Sequence, residues 1–148
     1  MLSEHDAKAV LDAYRIPVVR TWLAATPDTA ADCAREIAAP VVLKIDSPDI
    51  THKSDVGGMV LDITTPDDVR AAAQTMLKTI AASHPNALIQ GFTVQPMVRR
   101  PHAHELIAGA MTDNLFGPVI LFGHGGTAVE VIADRALALP PLNRVLAG

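Results

Sequence analysis

Ser47-Pro-Asp-Ile-Thr-His-Lys-Ser-Asp-Val-Gly-Gly58 follows directly on Val41-Val-Leu-Lys-Ile45, and the two stretches together decide how the chain is read. The first is nearly all apolar, as in a strand covered on both faces, yet Lys44 stands in its middle. The second sets His52 and Lys53 close to Gly57-Gly58 in a polar loop. A loop with only a structural task has little use for an imidazole, two nearby cations and a backbone free to take positive φ. A loop that closes over polyphosphate uses all of them.

Taken singly, each residue has a plainer explanation. A lysine in an edge strand lays its stem along apolar surface and leaves its ammonium in water. His52 and Lys53 suit any exposed loop, and Gly57-Gly58 any turn. Taken together they suit a phosphate site. Lys44 would supply an ammonium fixed by a rigid strand, and His52 an imidazole able to accept and return a phosphoryl group. Lys53 would offset charge on the transferring phosphate, and the glycine amides would approach its oxygens.

Composition narrows the classes. At 148 residues the chain is one ordinary domain or a two-lobed piece of something larger. Apolar residues reach 49% but aromatics only 3%, so Ala, Val, Leu and Ile must fill the core. A net charge of −4 and a pI near 5.8, with no basic stripe beyond Arg99-Arg100, argue against a nucleic-acid surface. Cys33 is alone, which leaves no disulfide framework and suits a small core residue. Ser3, Glu4, His5 and Asp6 do not read as a secretory leader, and no apolar run approaches the roughly 20 residues of a membrane span. The expected location is the cytoplasm, away from nucleic acid and membrane.

Turn and cap signals divide the chain. Ser3 caps a helix whose Ala7, Val10, Leu11 and Tyr14 share a face, with Pro17 as its stop. Val18–Leu23 suits a strand; Thr26-Pro27 then opens a helix carrying Ala30, Cys33, Ala34 and Ile37. After Pro40 come the strand Val41–Ile45 and a half-buried strand in which Met59, Leu61 and Ile63 alternate with Val60 and Asp62. Thr65-Pro66 opens a third helix, with Val69, Ala72, Ala73, Met76, Leu77 and Ile80 inward, ending near His84-Pro85. Ala87–Gln95, His104–Met111 and Pro118–Phe122 read as strands, and Thr127–Leu139 fits helix and strand equally. The order βαββαβ followed by strands predicts a mixed sheet, helices on one side of it and a second sheet behind.

Other motifs are weaker. Gly123-x-Gly125-x-x-Ala128 matches a dinucleotide fingerprint but lacks room for a following βαβ unit, so flexible backbone beside a ligand and a tight structural turn stay equally open. Glu105, Asp113, Glu130 and Asp134 have no metal-specifying spacing; solvated strand-end acids are their default. His102 and His104 lie two apart, on one face of a strand, without an apparent third ligand.

The loop resembles the SPDI-x-HKSD-x-GG stretch in the ATP-grasp domain of NDP-forming acyl-CoA synthetases, of the ADP-forming acetate–CoA ligase beta-subunit type. Tyr14-Arg-Ile-Pro-Val18, Pro40-Val-Val-Leu-Lys-Ile45, Val94-Gln-Pro-Met97, Phe116-Gly-Pro118, Phe122-Gly-His-Gly-Gly126 and Val129-Glu-Val131 follow in that family's order. The wording of Val94–Val98, Ala103–Leu106 and Leu139–Asn143 resembles a subgroup often fused to a GNAT-type acetyltransferase domain.

The resemblance implies an α+β, ATP-grasp-like fold: an α/β lobe over about 17–95 and the start of a strand-rich lobe over about 96–148. It implies the balance acyl-CoA + NDP + phosphate ⇌ acid + CoA + NTP, with phosphohistidine as carrier and ATP or ADP with Mg²⁺ bound here. Lys44 would hold nucleotide phosphates, with Lys53, Gly57 and Gly58 beside them, and His52 would be catalytic as a phosphate acceptor. Gln95, Pro96 and Met97 would receive adenine through backbone groups, with Glu105 on the next strand. The family's acidic E-L-D-I-N-P segment and its metal ligands are expected downstream of Gly148, as are CoA-binding and acyl-transfer domains elsewhere in the protein or a partner subunit. A C-terminally truncated piece of this kind would not run the full reaction alone. The rival expectation is a non-catalytic nucleotide-sensing module of a multidomain acetyltransferase.

Overall fold

The computed structural model describes residues 3–126, 134–143 and 145. The chain divides into two compact units, Met1–Val98 and Arg99–Gly148, each with its own sheet. The first begins with α1 (Glu4–Ala13), whose cap is the Ser3 hydroxyl accepting from the Asp6 amide at 3.1 Å. Glu4 and Asp6 in its first turn complement the positive end of the helix dipole. The helix stops before Pro17 is reached, because Arg15 turns the backbone at φ 60°.

The strand expected over Val18–Leu23 is reduced to β1 (Trp22–Ala24), an edge strand paired only with β4 (Gly91–Pro96). α2 (Pro27–Ile37) starts at a reciprocal Thr26–Thr29 capping box with Pro27 in the first turn, and ends on Ala38 in the left-handed region. β2 (Val41–Asp46) and β3 (Met59–Ile63) form a hairpin around the 47–58 loop. α3 (Pro66–Ser83), capped by Thr65, then leads to β4.

Strand order is β1-β4-β2-β3 and every neighbouring pair is antiparallel, which corrects the mixed sheet expected from the sequence. The helical crossovers are present, since β1 and β2 run the same way, as do β3 and β4. Each parallel couple, however, is split by a strand between its members, so no parallel ladder forms.

Side chains alternate between the faces of β2 and β4. On one face Leu43, Ile45, Phe92 and Val94 are almost wholly buried with Val69, Ala73, Met76 and Ile80 of α3 and Ala30 and Ala34 of α2. Cys33 packs partly buried against this core; burial, then Glu36 and Asp32, push its thiol pKa up. The opposite face carries Lys44, Thr93 and Gln95, and α1 reaches that face through Glu4 and Lys8. Alternation fails in β3. Its pairing slips between Val41 and Leu43, and Asp62 sits at φ 58°, so Ile63 is buried while Leu61 is 50% exposed.

The expected strand from Ala87 begins only at Gly91. That residue has φ 143°, and a Cβ there would lie 2.4 Å from the Ala24 carbonyl oxygen, so close approach of β1 demands glycine.

The second unit holds β5 (Leu106–Asp113), β6 (Gly117–His124) and β7 (Arg135–Ala138), antiparallel in that order. Asp113 Oδ1 accepts from the Leu115 and Phe116 amides at 2.8 and 3.0 Å, closing the β5–β6 turn; those bonds hold its carboxyl below the usual range. β6 lies between two antiparallel partners, not at the head of a parallel crossover. A Cβ on Gly123 would meet the Asp134 carbonyl oxygen at 2.5 Å, so this glycine answers a backbone contact. Of the ambiguous Thr127–Leu139 segment, residues 135–138 are strand, while 127–133 lie outside the described residues, as do Glu130 and Ala128. Among the described residues no helix is long and apolar enough to cross a membrane.

Leu43→Ala should destabilise the first unit by about 2–5 kcal/mol, through lost burial and the cavity left behind. Leu61→Ala should stay within about 0.5 kcal/mol. Urea unfolding of the two variants separates the cases.

Candidate functional site

Lys44 is fixed mid-strand by Thr93 of β4 on one side and Met59 of β3 on the other. Its Nζ donates to both carboxylate oxygens of Glu4, at 2.8 and 3.1 Å. Lys8, one helical turn along α1, places its Nζ 3.0 Å from Glu4 Oε1. It also donates to Gln95 Oε1 at 2.6 Å and to Thr21 Oγ1 at 2.8 Å. Lys53 comes from the loop to 3.9 Å from Glu4 Oε2. One carboxylate therefore gathers three ammoniums, each side chain at most 20% exposed.

Burial pushes the Glu4 carboxyl pKa up. Hydrogen bonds and charge from Lys44, then Lys8, outweigh that cost and hold it below its ordinary value.

Neither Glu4 nor Lys8 stands out in the sequence as a site residue. Their spacing of four on a helix was the available signal, since it puts both side chains on one face.

The 47–58 loop is held by backbone bonds. Gly58 donates to the Lys53 carbonyl at 2.7 Å, and its own carbonyl accepts from Ile45 at 2.8 Å. Gly57 takes φ 70°, and a Cβ on Gly58 would lie 2.8 Å from Ile45 Cγ2. Both glycines thus have structural work as the hairpin closes.

His52 does not join the lysines. It lines a shallow hollow of about 220 Å³ with Asp49, Thr51, Asp55 and His84, and no lysine borders that hollow. Asp49 Oδ2 is engaged there by the Leu88 amide at 2.7 Å.

The expected adenine segment is woven into the sheet. Gln95 pairs with Val42 and Pro96 with Val41, and the Met97 amide donates to the Pro40 carbonyl at 2.7 Å. Glu105 belongs to the second unit, where its carbonyl accepts from Gly125 at 2.8 Å. His104 meets His124 edge-on, with ring centroids 6.3 Å apart. Among the described residues no group of three or more His, Cys, Asp or Glu could hold a metal ion. The structure thus unites Lys44, Lys53 and Gln95 through Glu4 and Lys8, and leaves His52 in a hollow apart from them.

The sequence matches the ATP-grasp domain family over residues 1–148. This chain belongs to that family. It is 43% identical to acetate–CoA ligase [ADP-forming] I of Archaeoglobus fulgidus, covering 91% of this chain and 19% of the relative. It is 36% identical to the beta subunit of acetate–CoA ligase [ADP-forming] I of Pyrococcus furiosus, covering 97% of this chain and 61% of the subunit. Its fold superposes with a TM-score of 0.87, at 40% identity, on acetyl-coenzyme A synthetase 1 of Ca. Korarchaeum cryptofilum in complex with coenzyme A, Ca-AMPCP and HgCl+. That match covers 99% of this chain and 63% of the solved one. The chain is thus homologous to the ATP-grasp region of NDP-forming acyl-CoA synthetases, and spans about a fifth of the single-chain relative.

The Glu4 ion pairs make stability depend on acid. Because the folded pKa is lowered, their contribution is complete above the ordinary value of 4.5 and is lost as pH falls through the lower folded value. The melting-temperature gap between the parent chain and Glu4→Gln should be widest near neutrality and narrow progressively as pH falls below 4.5. A thermal denaturation series in pH checks it.

Proposed function

We propose that this chain is the nucleotide-binding ATP-grasp part of an ADP-forming acid–CoA ligase, gripping the phosphates of ATP or ADP through Lys44 and Lys53. The observation that carries the reading is the convergence of half-buried ammoniums on the polar face of the first sheet. An ammonium set mid-strand cannot drift with a loop, and ordered cations of this kind suit an anion with several charges. The relative solved with Ca-AMPCP and coenzyme A supports a nucleotide as that anion.

In the whole protein, nucleotide chemistry would be coupled to the balance acyl-CoA + NDP + phosphate ⇌ acid + CoA + NTP. CoA-binding and acyl-transfer domains, in the same protein or a partner subunit, would supply the acyl half. His52 would take the phosphoryl group: its ring nitrogen attacks the γ-phosphorus, the bond to the β,γ-bridging oxygen breaks, and ADP leaves. Lys53, next to it in the chain, would bring positive charge towards the phosphate as it moves. Backbone groups of Gln95–Met97 would meet the base. Mg²⁺ would neutralise phosphate charge in this chemistry. Among the described residues no cluster of His, Cys, Asp or Glu fits such an ion.

Two substitutions in the intact protein test the reading. Lys44→Ala should weaken ATP binding by about 1.5–3 kcal/mol, the usual worth of a charge-assisted contact, as read by titration calorimetry. Unchanged affinity would reduce Lys44 to a structural ion-pair partner. With γ-labelled ATP, the parent protein should acquire an acid-labile, base-stable label. His52→Ala should lower that label or block its return to ADP, and full labelling with full return would remove His52 from the chemistry.

A further inference from the structure

Three ammoniums against one carboxylate do not balance. Lys44, Lys8 and Lys53 approach Glu4 to 2.8, 3.0 and 3.9 Å, with side chains only 17%, 20% and 19% exposed. Among the described residues no other carboxylate lies within 4 Å of any of them. Like charges gathered at partial burial repel, and a single negative charge offsets only one of the three. A second observation points to the same place. Thr93, 1% exposed, has a hydroxyl with no hydrogen-bond partner among the described residues. It stands directly opposite Lys44 in the β2–β4 ladder and so shares its face. A buried hydroxyl without a partner is costly and marks a place where something polar belongs.

We propose that Glu4 is an internal stand-in for a nucleotide phosphate, and that Lys8 is a further phosphate-binding residue of this site. The inference rests on the nucleotide reading above. Polyphosphate would displace the Glu4 carboxylate and take over its bonds to Lys44, Lys8 and Lys53, with several negative charges in place of one. Lys8 would keep its position during the exchange, because Gln95 Oε1 and Thr21 Oγ1 hold its ammonium from the sheet side. Glu4 and the nucleotide would then exclude each other, and part of the binding free energy would go into freeing the first turn of α1.

Titration calorimetry on the intact protein, with ADP plus Mg²⁺ and separately with inorganic triphosphate, tests this. Glu4→Gln, which keeps the side chain's shape, should tighten both ligands by about tenfold, and Lys8→Met should weaken both by a similar factor. Glu4→Ala serves as a second variant and should tighten binding in the same direction. Adenosine, which carries no phosphate, should bind all variants alike. If both Glu4 variants bind ADP unchanged or more weakly while Lys44→Ala weakens it, Glu4 orders the lysines and the stand-in inference is overturned. Lys8→Met without effect overturns the role of Lys8. Lys44→Ala without effect on ADP overturns the nucleotide reading itself, a result distinct from the other two.

Discussion

The first unit depends on one constraint: both faces of β2 are largely covered, but only one of them is apolar. Leu43 and Ile45 settle one face by burial against α2 and α3. On the other face Lys44 must find a partner for its charge, since leaving a half-buried ammonium alone is costly. Glu4 meets that need from a helix forty residues earlier in the chain. Docking of α1, the placement of Lys8 and Gln95 and the approach of Lys53 all follow from this one pairing. The helix adds no residue to the buried apolar core, so its attachment is chiefly electrostatic.

Much of this was legible in the chain. The caps at Ser3, Thr26 and Thr65 work as their side chains suggest, because N-cap bonding is local and needs no tertiary context. The inward stripe of α3 is as the helical period predicts, for Val69, Ala73, Met76 and Ile80 at least. Strand direction was not legible. Whether two parallel strands touch or are split by a third depends on pairing between distant segments, which periodicity does not record. Leu61 lies exposed for a similar reason, since a register slip in β3 is a property of a pair of strands.

The candidate site divides along the same line. Lys44 is visible because a charge in an apolar run is conspicuous. Glu4 is not, because an acid in a helix's first turn is ordinary by itself and gains meaning only from what it touches across the sheet. Gly57 and Gly58 illustrate the converse. They read as hinges for a ligand loop, but a positive φ at one and close approach to Ile45 at the other already account for both. His52 stands in a motif that resembles phosphohistidine chemistry, yet the hollow that it lines is shared with Asp49, Asp55 and His84 and is bordered by no lysine.

The position of β4 between β1 and β2 has a consequence for how this unit comes into being. β4 is the last strand of the unit to be synthesised, yet it sits inside the sheet. On the ribosome, α1, α2, β2, β3 and α3 all emerge before the segment that joins β1 to the rest. Until residue 96 is free, β1 has no partner and β2 has one bare edge, a row of unpaired backbone groups open to other chains. The unit therefore closes late and by insertion. Gly91, where β4 begins against the Ala24 carbonyl, marks where that entering strand has least room.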